Sequence, residues 1–179
     1  MSHDPGGKTR LRLPEDVTGA ARFSDCMRYR HALSRDWTPA GQAPRAILFV
    51  GLNPSVADAD ASDPTCHREL TFARDWGFTR YLKGNLLDWR ATSPRDIPPD
   101  PALARSAWNM DVLREMAAEA ETLVLASGNV HKRYATIEAE TLEALRQTGK
   151  PLMCLGKNQS GAAKHPLYLR KDAALIPFD

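Results

Sequence analysis

A chain of 179 residues with 42% hydrophobic and 26% charged residues has the balance of a folded globular protein, not of a disordered tail. It is long enough for one domain with a sizeable core and short for two. The net charge of +2 does not itself argue for nucleic acid, and it leaves room for a local basic groove.

No apolar run approaches the ~20 residues of a membrane span, and residues 1–13 carry charges and glycine but no apolar signal region. Residues 1–20 are read as a flexible lead-in and residues 21–179 as a single domain. Three widely spaced cysteines, Cys26, Cys66 and Cys154, make neither a disulfide framework nor a thiolate metal cluster. A cytoplasmic setting is therefore expected, with no cofactor and no metal.

In chain order, residues 26–33 partly alternate apolar and polar side chains and predict an edge strand, ended by Trp37-Thr38-Pro39. Residues 46–50 (Ala-Ile-Leu-Phe-Val) form an unbroken apolar run stopping at Gly51, the pattern of a strand buried on both faces. A helix is predicted over 64–76, a strand over 81–89, a proline-rich loop over 90–101, and a helix over 101–120. Then follow a buried strand at 122–126, a helix over 131–147, a strand at 151–155 and a final segment at 165–169. This alternation predicts an α/β fold: a three-layer α/β/α sandwich with a mainly parallel central sheet. Ligands of such sheets bind at the carboxyl edge of the strands. Four loops leave that edge, at 51–63, 88–101, 127–132 and 156–165.

The first loop reads Gly51-Leu52-Asn53-Pro54-Ser55. Gly51 permits close approach of a ligand, and Asn53 can hold a water or a substrate amide, or simply form an Asx turn. Asp58, Asp60 and Asp63 follow; each can activate water, bind a hard cation or cap a helix. Asp63-Pro64 has the form of an N-cap with a first-turn proline. Asn85 lies in an apolar strand, where its amide pairs with backbone or reads the edge of a planar base. Asn129 is a helix cap or a ligand contact. His165, beside Lys164 and near Arg170 and Lys171, is either an exposed loop histidine or a donor to a developing anion. No phosphate loop and no serine nucleophile elbow is present.

The order of these motifs resembles the domain-of-unknown-function 1643 family from about Arg28 to Phe178. The resemblance rests on Arg28-Tyr29-Arg30, Gly51 to Ser55 with Ala57-Asp58 and Asp63-Pro64-Thr65, Asn85-Leu86, Arg90-Ala-Thr-Ser-Pro94, Gly128-Asn129, Leu155-Gly156 and His165 to Leu169. The same order is more distantly similar to the uracil-DNA glycosylase superfamily. That likeness implies a nucleobase N-glycosidic bond hydrolase, acting on a flipped base or a nucleoside in nucleic acid or in a small molecule. It makes Asn53 the residue that positions water and Asn85 the reader of the base. His165 becomes the donor to the base carbonyl, and Leu167 the side chain that fills the vacated stack. Asp58 joins Asn53 and His165 as a catalytic candidate. Gly51, Leu52, Pro54, Ser55, Asp63, Arg90 and Asn129 are expected to contact substrate. The chain departs from that superfamily at Ser55, where glycine is usual, and at His165-Pro-Leu-Tyr, where His-Pro-Ser is usual. Phe72 is the candidate for the aromatic that stacks on the base. A non-catalytic nucleic-acid or nucleotide-binding module on the same fold, with Lys157, Lys164, Arg170 and Lys171 on one rim, is the alternative. Hydrolysis or transfer on a small nucleotide-like metabolite is a third reading.

Overall fold

The computed structural model describes residues 9–179. Among them the strands and helices run β1 (Leu11–Arg12), β2 (Thr18–Phe23), β3 (Arg30–Asp36), β4 (Ala46–Gly51), β5 (Ala61–Ser62), α1 (Pro64–Asp75) and β6 (Arg80–Asn85). They continue with α2 (Pro101–Ala104), α3 (Asn109–Glu119), β7 (Thr122–Leu125), α4 (Ala135–Arg146), β8 (Leu152–Cys154) and β9 (Ile176–Pro177).

The fold is built around β4. Every residue of it is buried, because successive side chains enter opposite apolar layers. Ala46, Leu48 and Val50 face a cluster that includes Val112, Leu113 and Met116 of α3 and Ile137 and Leu145 of α4. Ile47 and Phe49 face a second cluster with Cys66, Leu70, Phe72 and Ala73 of α1. Helices thus cover both faces of one sheet, and burying each large apolar side chain contributes about 1.5–3 kcal/mol.

The main sheet has the order β2-β3-β6-β4-β7-β8-β9. Its centre, β6-β4-β7-β8, is parallel, but β2, β3 and β9 pair antiparallel. With the small β1–β5 ribbon most pairings are antiparallel, which corrects the expected mainly parallel sheet. The physical reason is connection length. The short turn between β2 and β3 cannot cross over to make a parallel pair. It closes instead as a hairpin, with the Met27 N–H on Ser24 O at 2.8 Å and Met27 at a φ of 59°.

Two further expectations change. The strand predicted over residues 26–33 begins at Arg30 and is not an edge, because β2 covers it. Of the lead-in expected over residues 1–20, residues 1–8 lie outside the described residues. In the rest, Leu11–Arg12 and Thr18–Ala20 belong to strands, so that stretch is not uniformly a lead-in. The Thr-Gly-Ala-Ala-Arg-Phe sequence of β2 shows little hydrophobic alternation, and pairing with β3 orders it.

The helix predicted over 101–120 is broken at Arg105, which is extended. The break answers a buried need. Asp88, 0% exposed, accepts the Ser106 N–H at 2.7 Å and the Ser106 hydroxyl, and a continuous helix would hold that N–H for itself. Helix α3 then starts at buried Asn109, whose Nδ2 donates to the Asn85 and Leu86 carbonyls at 3.1 and 3.0 Å. No helix among the described residues is long and apolar enough to cross a membrane.

Candidate active site

The carboxyl ends of the parallel strands open onto a cavity of about 230 Å³. The loop after β4 contributes Gly51, Leu52, Asn53 and Ser55 to its wall. The segment after β6 contributes Ala91, Thr92 and Pro94, the loop after β7 Ser127 and Asn129, and the loop after β8 His165. The first turn of α1 brings Asp63, Thr65 and Cys66, and Arg30, Lys83 and Asn85 reach in from β3 and β6.

Gly51 is required by close approach. A Cβ there would stand 2.7 Å from Lys83 Nζ and 2.9 Å from Asn85 Oδ1. Asn53 donates its amide hydrogens to the Pro54 and Ala91 carbonyls at 3.0 and 2.9 Å. Those two bonds orient the group and leave Oδ1 as the acceptor. Asn85 is 2% exposed, and its Oδ1 has no partner. Arg30 Nε and Ser55 Oγ are likewise buried and unpartnered. Buried polar atoms are nearly always satisfied, so three orphans in one wall mark a polar ligand site.

Gly128, at a φ of 67°, turns the β7 loop beneath His165; a Cβ there would sit 3.6 Å from His165 Cβ. The His165 Nδ1 accepts the Leu167 N–H at 3.4 Å, which engages that nitrogen as an acceptor. Asn129 accepts from Asn158 Nδ2 at 3.2 Å and from Ser160 Oγ at 2.7 Å, tying the β7 loop to the β8 loop. Asp63 is the N-cap of α1, with Oδ1 accepting the Cys66 N–H at 2.8 Å, and Pro64 stands in the first turn.

Behind the wall lies a buried charge network. Lys83 Nζ is 2.7 Å from Glu69 Oε1, and the Tyr81 hydroxyl donates to Glu69 Oε2 at 2.6 Å. Burial raises the Glu69 carboxyl above the usual range, against the pull of Lys83. Burial, reinforced by Asp63, pushes the Cys66 thiol up to about 12, so Cys66 is a neutral wall group at ordinary pH and not a nucleophile.

Eight of the residues expected from sequence therefore share this cavity: Gly51, Leu52, Asn53, Ser55, Asp63, Asn85, Asn129 and His165. Four do not line it. Asp58 is turned away: it pairs with Arg10 at 2.6 Å and accepts the Asp60 and Ala61 N–H groups. Burial raises its pKa, but these bonds outweigh burial and lower it overall. Pro54 acts through its carbonyl, which accepts the Ala91 N–H at 2.9 Å. Arg90 donates to Met27 O at 2.9 Å and lies over the Phe23 ring, holding the β2–β3 hairpin. Leu167 sits in the short 3-10 turn Pro166–Tyr168. Phe72 stacks on Trp76 in the core, and no Phe, Tyr or Trp side chain lines the cavity among the described residues.

Sequence reasoning missed roles for Arg30, Thr65, Cys66, Lys83 and Ser127. For Arg30 and Lys83 the sequence shows only a cation inside an otherwise strand-forming segment, which reads equally as solvent-facing.

The family model described as Protein of unknown function (DUF1643) matches residues 30–167. The chain belongs to that family. No curated protein and no solved structure matches it. The DUF1643 span runs from Arg30 past His165, and every residue of the cavity wall falls inside it. Strand β2 lies outside the matched span.

Proposed function

We propose that this chain hydrolyses the N-glycosidic bond of a nucleobase-containing substrate, on a three-layer fold of the uracil-DNA glycosylase kind. The observation that carries the reading is that Asn53, Asn85 and His165, far apart in sequence, line one cavity. Its volume of about 230 Å³ lies below the ~300–1,000 Å³ of pockets for drug-sized ligands, so it takes a small ligand.

In this reading Asn53 Oδ1 accepts a hydrogen bond from the attacking water and aims its oxygen at the anomeric carbon. The C–N bond breaks, and its electron pair leaves with the base. His165 Nε2–H donates to the base oxygen as charge builds there. Asn85 reads the polar edge of the base. Asp63, the one carboxylate of the wall among the described residues, takes the proton released by water. With no Phe, Tyr or Trp in the wall among the described residues, the base faces are bounded by Leu52, Ala91 and Pro94. All three cysteines are free, which fits a reducing cytoplasm.

The binding-module alternative draws less support, since Lys157, Lys164, Arg170 and Lys171 do not line the cavity and Arg170 is paired with Asp172. A metal-assisted version through Asp58 and Asp63 also loses support, because Asp58 is held outside the cavity wall by Arg10.

The test is base release from a panel of oligonucleotides, nucleosides and nucleotides carrying normal, deaminated and damaged bases. The expected result is release from at least one substrate, falling about 10²–10³-fold in Asn53→Ala, as for loss of a single preorganised polar group. No release from any substrate beside an active control, or an unchanged rate in Asn53→Ala, overturns the proposal.

A further inference from the structure

Arg30 and Arg35 lie on the same strand and are 1% and 0% exposed, yet their guanidinium groups are treated very differently. Arg35 is saturated. Its Nε donates to Ser62 Oγ, its Nη1 to Ser34 O, and its Nη2 to Asp58 O and Ala61 O. Arg30 makes one side-chain hydrogen bond, Nη1 to Ala57 O at 2.9 Å, and its Nε is buried without a partner. No carboxylate pairs with Arg30 among the described residues. A guanidinium does not escape burial by losing its proton, and a buried charge is ordinarily paired.

The other charges of the wall are accounted for. Lys83 is matched by Glu69 at 2.7 Å. Asp63 uses one oxygen to cap α1 and forms no ion pair with Arg30. The unmatched charge therefore belongs to Arg30, and it sits in a corner rich in donors. Ser55, whose buried hydroxyl is also unpartnered, lies two residues before Ala57. The first turn of α1, a helix of 12 residues, adds Thr65 and Cys66 to the same wall, although the Cys66 N–H is already held by the Asp63 carboxylate.

We infer that Arg30 and Ser55, at the start of α1, form an anion subsite that takes a phosphate group of the substrate, so that the ligand is a nucleotide and not an uncharged nucleoside. A tetrahedral phosphate accepts from a forked guanidinium and a hydroxyl at once, each from its own direction. The nucleotide half of this statement rests on the glycosidic reading above; the anion subsite does not.

The experiment is calorimetric titration of the full chain with inorganic phosphate at fixed ionic strength. Wild type is expected to bind saturably. Ser55→Ala and Arg30→Lys, which keeps the charge but loses the fork, are each expected to bind at least about tenfold more weakly. Ser55→Ala keeps the test decisive if the Arg30 variant fails to fold. Absence of saturable binding to wild type, or unchanged affinity in the folded variants, overturns the subsite. Competition then identifies the source of the phosphate. Displacement by a nucleoside 5′-monophosphate supports a free nucleotide, and displacement only by a single-stranded oligonucleotide supports a phosphodiester of nucleic acid. Displacement by neither overturns the nucleotide assignment. Phosphate binding without base release from any substrate refutes the glycosidic reading and leaves the subsite standing.

Discussion

Lys83 and Glu69 form an ion pair at 2.7 Å with side chains 4% and 0% exposed, so a cation of the cavity wall is anchored to an anion on the covering helix. The pair links β6 to α1, and Tyr81 closes it with a hydrogen bond to the second carboxylate oxygen. The position of Lys83 in the site is therefore set by the packing of α1 on the sheet.

Breaking this pair from one side should cost far more than removing it whole. Glu69→Ala leaves Lys83 buried and uncompensated and is expected to lower stability by about 3–5 kcal/mol. Glu69→Leu combined with Lys83→Met should recover much of that loss, as read by urea denaturation. The pH dependence has a definite sign. The folded-state pKa of Glu69 is raised, so its contribution is full below the ordinary carboxylate value and is lost as pH rises through the folded one. Glu69→Gln should remove that slope.

The cysteines should divide sharply. Cys26 is exposed, and its thiol is lowered by hydrogen bonding with Ser24 and the backbone at Arg28. It should react with a thiol reagent in the native state, with Cys66 and Cys154 reacting only after unfolding. The raised Cys66 value of about 12, against 9.0 for an ordinary thiol, favours folding below pH 9. That contribution, about 4 kcal/mol, is lost as pH climbs from 9 through 12. Cys66→Ala should flatten the alkaline loss of stability, leaving the part due to Tyr81, whose burial raises it well above 10.0.

Asn109 is expected to be a stability position that also shapes the site. Asn109→Ala strips a donor from the Asn85 and Leu86 carbonyls and should cost about 2–4 kcal/mol, the penalty for leaving buried acceptors unmade. Urea denaturation measures it. Asn109→Asp, which keeps the shape but not the donors, should lose a comparable amount.

The sequence order alone brought out half of the cavity wall, because Asn53, Asn85, Asn129 and His165 each follow or close a recognisable strand, and strand ends gather at one sheet edge. Arg30 and Lys83 were hidden for the opposite reason. A cation within a strand looks solvent-facing until the neighbours across the sheet are known, and their burial is decided by α1 and by the 57–61 segment. Asp58 shows a third limit. In the run Asp58-Ala-Asp60-Ala-Ser-Asp63 the following proline marks Asp63 as the cap of α1, but nothing in the run shows that Asp58 is drawn aside by Arg10. The interrupted helix after Pro101 was equally illegible, since its break is dictated by Asp88, far back in the chain.

The two arginines of β3 have a consequence for how a ligand is received. Through Ala57, Asp58 and Ala61 they fasten the far side of the segment carrying Asn53 and Ser55 to a sheet strand, while Asn53 and Pro54 fasten its near side to Ala91. A segment already held at both flanks has little conformational freedom left to surrender, so selectivity here comes from rigid shape and fixed donors more than from closure around the guest.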